Sequence, residues 1–138
     1  MSSYTVIQQL NSEQTQQLHL LFQNEWWSKG RSFNDVLIML EHSDFVFGVS
    51  EPETNKLVGF ARVLTDRVFK AFIFDVIVHS EYRGKGIGKL LMDFILTHPC
   101  IASAKHIELY CRPEMVPFYQ HWGFKAELGD ITLLRLRN

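Results

Sequence analysis

Apolar positions in the first third of the chain recur with a helical period. Leu18, Leu21, Phe22 and Trp26 fall at i, i+3, i+4 and i+8, and Phe33, Val36, Leu37 and Leu40 repeat the spacing. Each stretch predicts a helix with one buried face. Asn11 with Gln14 fits a capping box, and Ser32 with Asp35 a second N-cap. Residues 4–8 precede them as a candidate strand. The period then changes to two. Phe45, Phe47 and Val49 alternate with other residues, residues 51–56 hold Pro52, Thr54 and Asn55, and residues 57–64 resume the strand pattern. Together they predict a hairpin. Residues 71–78 form the most apolar run. Strict alternation would put Phe72, Phe74, Val76 and Val78 on one face, and Ala71, Ile73, Asp75 and Ile77 on the other. A strand apolar on both faces belongs at the centre of a sheet. Asp75 is the one ionisable residue inside it.

Beyond a glycine-rich connection, Ile87, Leu90, Leu91, Phe94 and Ile95 restore the helical spacing, and Pro99 reads as its stop. Residues 107–111 predict another strand. Residues 118–122 predict a short helical turn ending at Gly123, a C-cap residue. Residues 124–127 and 131–136 predict a last hairpin around Gly129-Asp130. The order βααβββαβαββ predicts an α/β fold of the α+β kind: a mixed sheet with helices on its faces, not a regular βαβα repeat.

Composition narrows the class. A chain of 138 residues predicts a single domain over residues 1–138. Folding should bury about two-thirds of its unfolded surface. With 46% apolar and 21% charged residues the chain is neither disordered nor a disulfide scaffold. A net charge of −1 argues against a dedicated nucleic-acid binder. Cys100 and Cys111 make no framework. Met1-Ser2-Ser3-Tyr4 opens no signal-peptide pattern, and no apolar run approaches the roughly 18 residues of a membrane span. The expectation is a soluble, reduced, cytoplasmic protein with no membrane association. Six scattered histidines, without H-E-x-x-H or C-x-x-C, predict no metal site; His98, Cys100 and His106 read as ordinary positions.

Chemistry concentrates between the apolar strand and the following helix. Gly84, Gly86 and Gly88 let the backbone approach a ligand closely, at a helix N-terminus where N–H groups and the dipole favour an anion. Arg83, Lys85 and Lys89 add positive charge, and no acid occurs from Tyr82 to Met92. The spacing G-x-G-x-G matches neither the dinucleotide fingerprint nor the Walker A loop. From these residues alone, a phosphate site and a glycine turn with solvated lysines both stand.

The wider context is specific. Val78-His79-Ser80-Glu81-Tyr82-Arg83-Gly84-Lys85-Gly86-Ile87-Gly88 resembles the acetyl-CoA-binding motif of the GNAT (Gcn5-related N-acetyltransferase) superfamily, Arg/Gln-x-x-Gly-x-Gly/Ala, at Arg83, Gly86 and Gly88. Phe118-Tyr119-Gln120-His121-Trp122-Gly123-Phe124 resembles its second signature, F-Y-x-x-x-G-F, about thirty residues later. The order of elements is similar as well, so the resemblance spans nearly the whole chain. It implies a GNAT fold with a central, mostly antiparallel mixed sheet.

The resemblance also implies a function: transfer of an acetyl group from acetyl-CoA, the cosubstrate, to a primary amine, directly in a ternary complex and without metal. Arg83, Gly84, Lys85, Gly86, Ile87, Gly88 and Lys89 would hold the pyrophosphate. Val76, Ile77 and Val78 would pair with the pantetheine arm across a splay between the strand ending at Val78 and residues 107–111, with the Val76 N–H at the oxyanion. Tyr119 would protonate the departing thiolate. Asp75 matches a position where many relatives carry an acid, and is the candidate base; a water chain is the other route. Phe74 stands where polyamine acetyltransferases carry a second acid, which weighs against a polyamine. Cys111-Arg112-Pro113-Glu114 replaces a segment with a CoA-binding Asn, so that contact is not carried over; Arg112 stays open as a phosphate ligand or a surface residue.

The acceptor would lie against Trp26, Trp27, Arg31 and Arg62, with Asp66 near. The tryptophans favour an aromatic or apolar acceptor, and Arg31 or Arg62 could clamp a carboxylate. A small-molecule amine is the expected partner, with no nucleic acid, and a homodimer is left open. The alternatives are a non-catalytic acyl-CoA-binding module and an enzyme acting on a protein or aminoacyl-tRNA.

Overall fold

The computed structural model describes residues 3–137; Met1 and Ser2, read above for a leader, lie outside them. The chain forms two compact units, residues 1–108 and 109–138. In the first, β1 (Thr5–Ile7), α1 (Ser12–Gln23), α2 (Phe33–His42), β2 (Phe45–Ser50), β3 (Leu57–Thr65), β4 (Lys70–Val78), α3 (Ile87–Thr97), α4 (Pro99–Ala102) and β5 (His106–Glu108) follow in order. The five strands lie side by side in chain order. The first three pairings are antiparallel, and β4–β5 is parallel. A parallel pair needs a long crossover, which α3 and α4 supply. This is the mixed sheet flanked by helices that the residue pattern predicts.

Both predicted helix starts are built as expected. Asn11 Oδ1 accepts from the Gln14 N–H at 2.7 Å, while Gln14 Oε1 accepts from the Asn11 N–H at 3.1 Å. Ser32 Oγ accepts from the Asp35 N–H. Leu18, Leu21, Phe22 and Val36 are buried with Leu57, Phe60 and Ile77 in one core. Trp26 departs from the expected stripe. Helix α1 ends at Gln23, and Trp26, 68% exposed, sits in the turn beyond it. A fourth contact on the stripe would need another turn of helix. The chain instead reverses, with Ser28 Oγ donating to the Phe22 carbonyl.

The other face of the sheet takes α3. Its Ile87, Leu91, Met92 and Ile95 are buried, and Phe47 meets Phe94 edge-on at 5.9 Å. Pro99 both follows the last turn of α3 and opens α4, where its missing N–H costs nothing. Gly59 permits the close approach of α3: a Cβ there would stand 2.9 Å from Ile87 Cγ2.

The predicted alternation of β4 fails at one point. Phe60 pairs with Ile77 and Arg62 with Phe74, so two residues of β4, Asp75 and Val76, stand opposite Ala61 alone. This is a β-bulge. It reverses the parity of the strand, so Phe74 and Ile77, expected on opposite faces, both face α1. Asp75 takes a left-handed backbone, φ +58°.

The second unit carries a helical turn at Pro113–Met115 and α5 (Val116–Gln120), which turns out at Gly123 with φ +97°. The expected strands at residues 124–127 and 131–136 are not formed; a turn at Gly129-Asp130 joins two irregular segments. Alternation selects a face, but a strand also needs a paired backbone ladder, and no described residue supplies one here.

Replacing Gly59 by Ala should force Ile87 away from β3 and cost about 1–3 kcal/mol. A thermal melt should show it as a loss of roughly 3–10 °C.

Candidate active site

Two features of the first unit converge on the end of β4. The first is an interrupted ladder. β5 pairs with β4 only at Lys70, Ala71 and Phe72. From Ile73 to Val78 no described strand pairs with β4 on that side, while β3 covers the other. Val76, Ile77 and Val78 therefore lie on a stretch that no described strand covers on that side.

The second is the glycine loop. After β4 the chain makes a short helical turn, Ser80–Tyr82, and enters α3 through Gly84 at φ +78° and Gly86 at φ +79°. Such angles strain any residue with a Cβ. At both positions a Cβ would point into open space, with no atom within 4 Å. Gly86 caps α3 without a side-chain hydrogen bond, and the first turn holds no acid. The first helical bond runs from the Leu90 N–H to the Gly86 carbonyl, so the N–H groups of Ile87, Gly88 and Lys89 precede the helical ladder.

The cations of this loop already have protein partners. Arg83 binds Glu25 at 2.6 Å and donates from Nε to the Val78 carbonyl. Lys85 lies over the Tyr82 ring, and Lys89 pairs with Asp93 one turn along α3. The loop thus offers backbone N–H groups at the start of α3, while its three cationic side chains contact other protein groups.

Asp75 sits on the bulge, with its side chain 8% exposed. Its Oδ2 accepts from Arg31 Nη1 and from Arg62 Nε, both at 2.8 Å, and its Oδ1 accepts from Arg31 Nη2 at 3.2 Å. Burial alone would raise this carboxyl. The hydrogen bonds and charges of Arg31 and Arg62 outweigh it and hold the group below its ordinary value. A carboxylate so acidified and so fully occupied is a weak proton acceptor.

Both arginines stack on aromatic rings. Arg31 lies 4.6 Å from the Phe22 centroid and 5.6 Å from that of Trp27, and Arg62 lies 4.8 Å from that of Phe74. The α1–α2 loop is pinned from behind, since Gln23 and His19 both bond the Arg31 carbonyl. Arg31, Arg62 and Trp27 are therefore brought together, whereas Trp26 is 68% exposed. Asp66 is absorbed elsewhere: its Oδ1 accepts from the Val68, Phe69 and Lys70 N–H groups and closes the β3–β4 turn. Sequence reasoning missed Glu25 as the partner of Arg83, and Phe74 as a platform for Arg62. No short-range pattern links either pair.

In the second unit Tyr119 is 7% exposed, edge-on to Phe118 and Phe124. Burial, then the nearby Cys111, pushes its phenol up to about 12. The Cys111 thiol is raised in turn, by burial and by Glu114, the reverse of an activated nucleophile. Arg112 pairs with Glu114 at 3.0 Å on the surface. No group of residues with metal-ligand geometry occurs among the described residues. No described helix is long and apolar enough to cross a membrane. A surface depression of about 400 Å³ near Leu10, Glu41 and Asp44 shares no residue with these features.

The family model for the acetyltransferase (GNAT) family matches residues 7–124, and the chain belongs to that family. It is 33% identical, over 110 residues, to the protein of Porphyra purpurea named Uncharacterized N-acetyltransferase ycf52. That match covers 78% of this chain but 63% of the relative, so the chain spans less than two-thirds of the relative's length. A Xanthomonas campestris structure described as belonging to the GNAT family superposes with a TM-score of 0.80 at 28% identity, covering 93% of this chain and 88% of that one. A complex of the aminoglycoside N-acetyltransferase AAC(6')-Iy with CoA has a TM-score of 0.74 at 16% identity, covering 99% and 97%. At that identity the likeness is one of fold.

The clasp on Asp75 generates a pH prediction. Its folded carboxyl titrates below the unfolded value of about 3.9. Its stabilisation is therefore complete above that value and is lost as the pH falls through the folded pKa. Asp75→Asn should cost about 2 kcal/mol at neutral pH. In denaturant melts the difference between the two proteins should start to shrink below about pH 4 and go on shrinking as the pH falls through the folded pKa.

Proposed function

We propose that this protein transfers the acetyl group of acetyl-CoA to the primary amine of a small molecule, in a ternary complex. The observation that carries this reading is the open row of β4 backbone beside an uncapped helix entered through two left-handed glycines. The first fits an extended chain bearing amide groups, and the second fits a pyrophosphate. The family's use of CoA, and the CoA bound to a protein of the same fold, support the same cosubstrate. We take residues 1–138 to act as one domain, in a reducing compartment such as the cytoplasm, where Cys100 and Cys111 stay thiols.

The residues then take distinct tasks. Backbone N–H groups from Gly84 to Lys89 hold the pyrophosphate, with Arg83, Lys85 and Lys89 supplying a positive surround. Val76, Ile77 and Val78 pair with the pantetheine amides. The Val76 N–H, carried on the bulge, donates to the thioester oxygen as it gains charge. The amine must attack in its neutral form, although such amines titrate near 10, like lysine. Its C–N bond forms as the C–S bond breaks. Tyr119, which keeps its proton across the working pH range, gives that proton to the departing thiolate and regains one from solvent. The occupied carboxylate of Asp75 leaves water as the acceptor of the amine proton, so Asp75 is a positioning residue that fixes the bulge.

CoA and acetyl-CoA, but not NAD or ATP, should stabilise the protein. At about 100 times Kd the gain is roughly 2.7 kcal/mol, several degrees in a thermal shift. Gly86→Val should abolish that shift. Tyr119→Phe should keep the shift and lose about 100-fold or more in thiol release with an amine panel. A shift without turnover in the wild-type protein would instead favour a non-catalytic CoA-binding module.

A further inference from the structure

The charge balance at the bulge carries information about the acceptor. Two guanidinium groups face one carboxylate, so the cluster Arg31–Asp75–Arg62 holds one positive charge in excess. Arg62 is the less satisfied member. Its side chain is 18% exposed, and only Nε is used, on Asp75. Among the described residues its Nη1 and Nη2, four N–H donors, have no protein acceptor. Neither nitrogen is a sealed-off polar atom without a partner, since none occurs among the described residues. The outer edge of this guanidinium therefore opens to water or to a ligand. Asp75 fixes its inner edge, and the Phe74 ring supports its plane. A planar cation held this way matches a carboxylate, which accepts two parallel N–H bonds. Arg31 adds a second cation, stacked over Phe22 and Trp27.

We propose that the acceptor is an amine that also bears a carboxylate on an aromatic or apolar body, with Arg62 as the specificity-determining residue that binds the carboxylate. This rests on the acetyl-transfer reading above and names the substrate class of that site. A polycationic acceptor would meet like charge at Arg31 and Arg62. A neutral amine would leave the Nη edge of Arg62 solvated and gain nothing from it. The carboxylate also sets the amine at a fixed distance from the bulge, so that binding energy goes into orientation.

The test compares L-phenylalanine with phenethylamine, which differ by the carboxylate alone, in the wild-type protein, Arg62→Gln and Arg62→Lys. In wild type, kcat/KM should favour the amino acid by at least about tenfold, the value of one charge-assisted hydrogen bond. That preference should collapse in Arg62→Gln and be intermediate in Arg62→Lys, which keeps the charge and loses the fork. Comparing the ratio between proteins cancels the differing basicity of the two amines.

Binding of 3-phenylpropionate by calorimetry needs no turnover, and should weaken at least about fivefold in Arg62→Gln. An unchanged preference in the variants would overturn the proposal. So would failure of 3-phenylpropionate to bind the wild-type protein. A CoA thermal shift on the same samples separates the two readings. If CoA stabilises all three proteins while the carboxylate is ignored, the acceptor proposal fails alone. If CoA stabilises none, the acetyl-transfer reading fails with it.

Discussion

The placement of one carboxylate governs the middle of this molecule. Asp75 adopts a left-handed backbone inside a strand, a conformation that costs a non-glycine residue of order 1 kcal/mol or more. Three hydrogen bonds from two arginines offset that cost. One arginine comes from the α1–α2 loop and the other from β3, so the same carboxylate joins a loop to the sheet. The bulge it stabilises changes the parity of β4. That change puts Phe74 and Ile77 on the face of α1, where Ile77 completes the core with Phe22 and Phe60.

The open edge of β4 follows from the short reach of β5. Three residues of parallel pairing anchor the strand, and the rest of β4 is left without a partner on that side among the described residues. An unpaired strand edge is normally a liability that invites association. Here it continues directly into a loop whose N–H groups at Ile87, Gly88 and Lys89 precede the helical ladder and find no acceptor among the described residues. A single ligand with amide groups at one end and phosphates at the other would satisfy both. This complementarity is why the acetyl-CoA reading depends on backbone geometry and not on the charges of the loop, whose side chains are already engaged.

The surroundings of the buried acid favour water over Asp75 as the acceptor of the amine proton. An acid on the central strand reads from sequence as a proton acceptor. Enclosed by two guanidinium groups, it becomes the less basic kind of carboxylate, and in the proposed reaction it positions the bulge. The arginines it holds keep a net positive charge, and the side chains around them are aromatic.

Much of this was legible in the sequence because the relevant physics is local. The capping box at Asn11, the N-cap at Ser32, the helical stripes, the turn at residues 51–56 and the glycines before α3 depend on residues within a few positions of each other. The two motifs at Arg83–Gly88 and Phe118–Phe124 were readable for the same reason. The sequence could not show the bulge at Asp75, because a bulge is a mismatch between two strands, and neither strand records it alone. Nor could it show that Arg31 and Arg62, 44 and 13 residues away from Asp75, close on the same carboxylate. It overextended α1 to Trp26, where the chain reverses, and it read alternation after Gly123 as strands that found no ladder. Local propensity set which elements form. Pairing between distant segments decided which backbone groups stayed open and which charges met, and the candidate site is made of those.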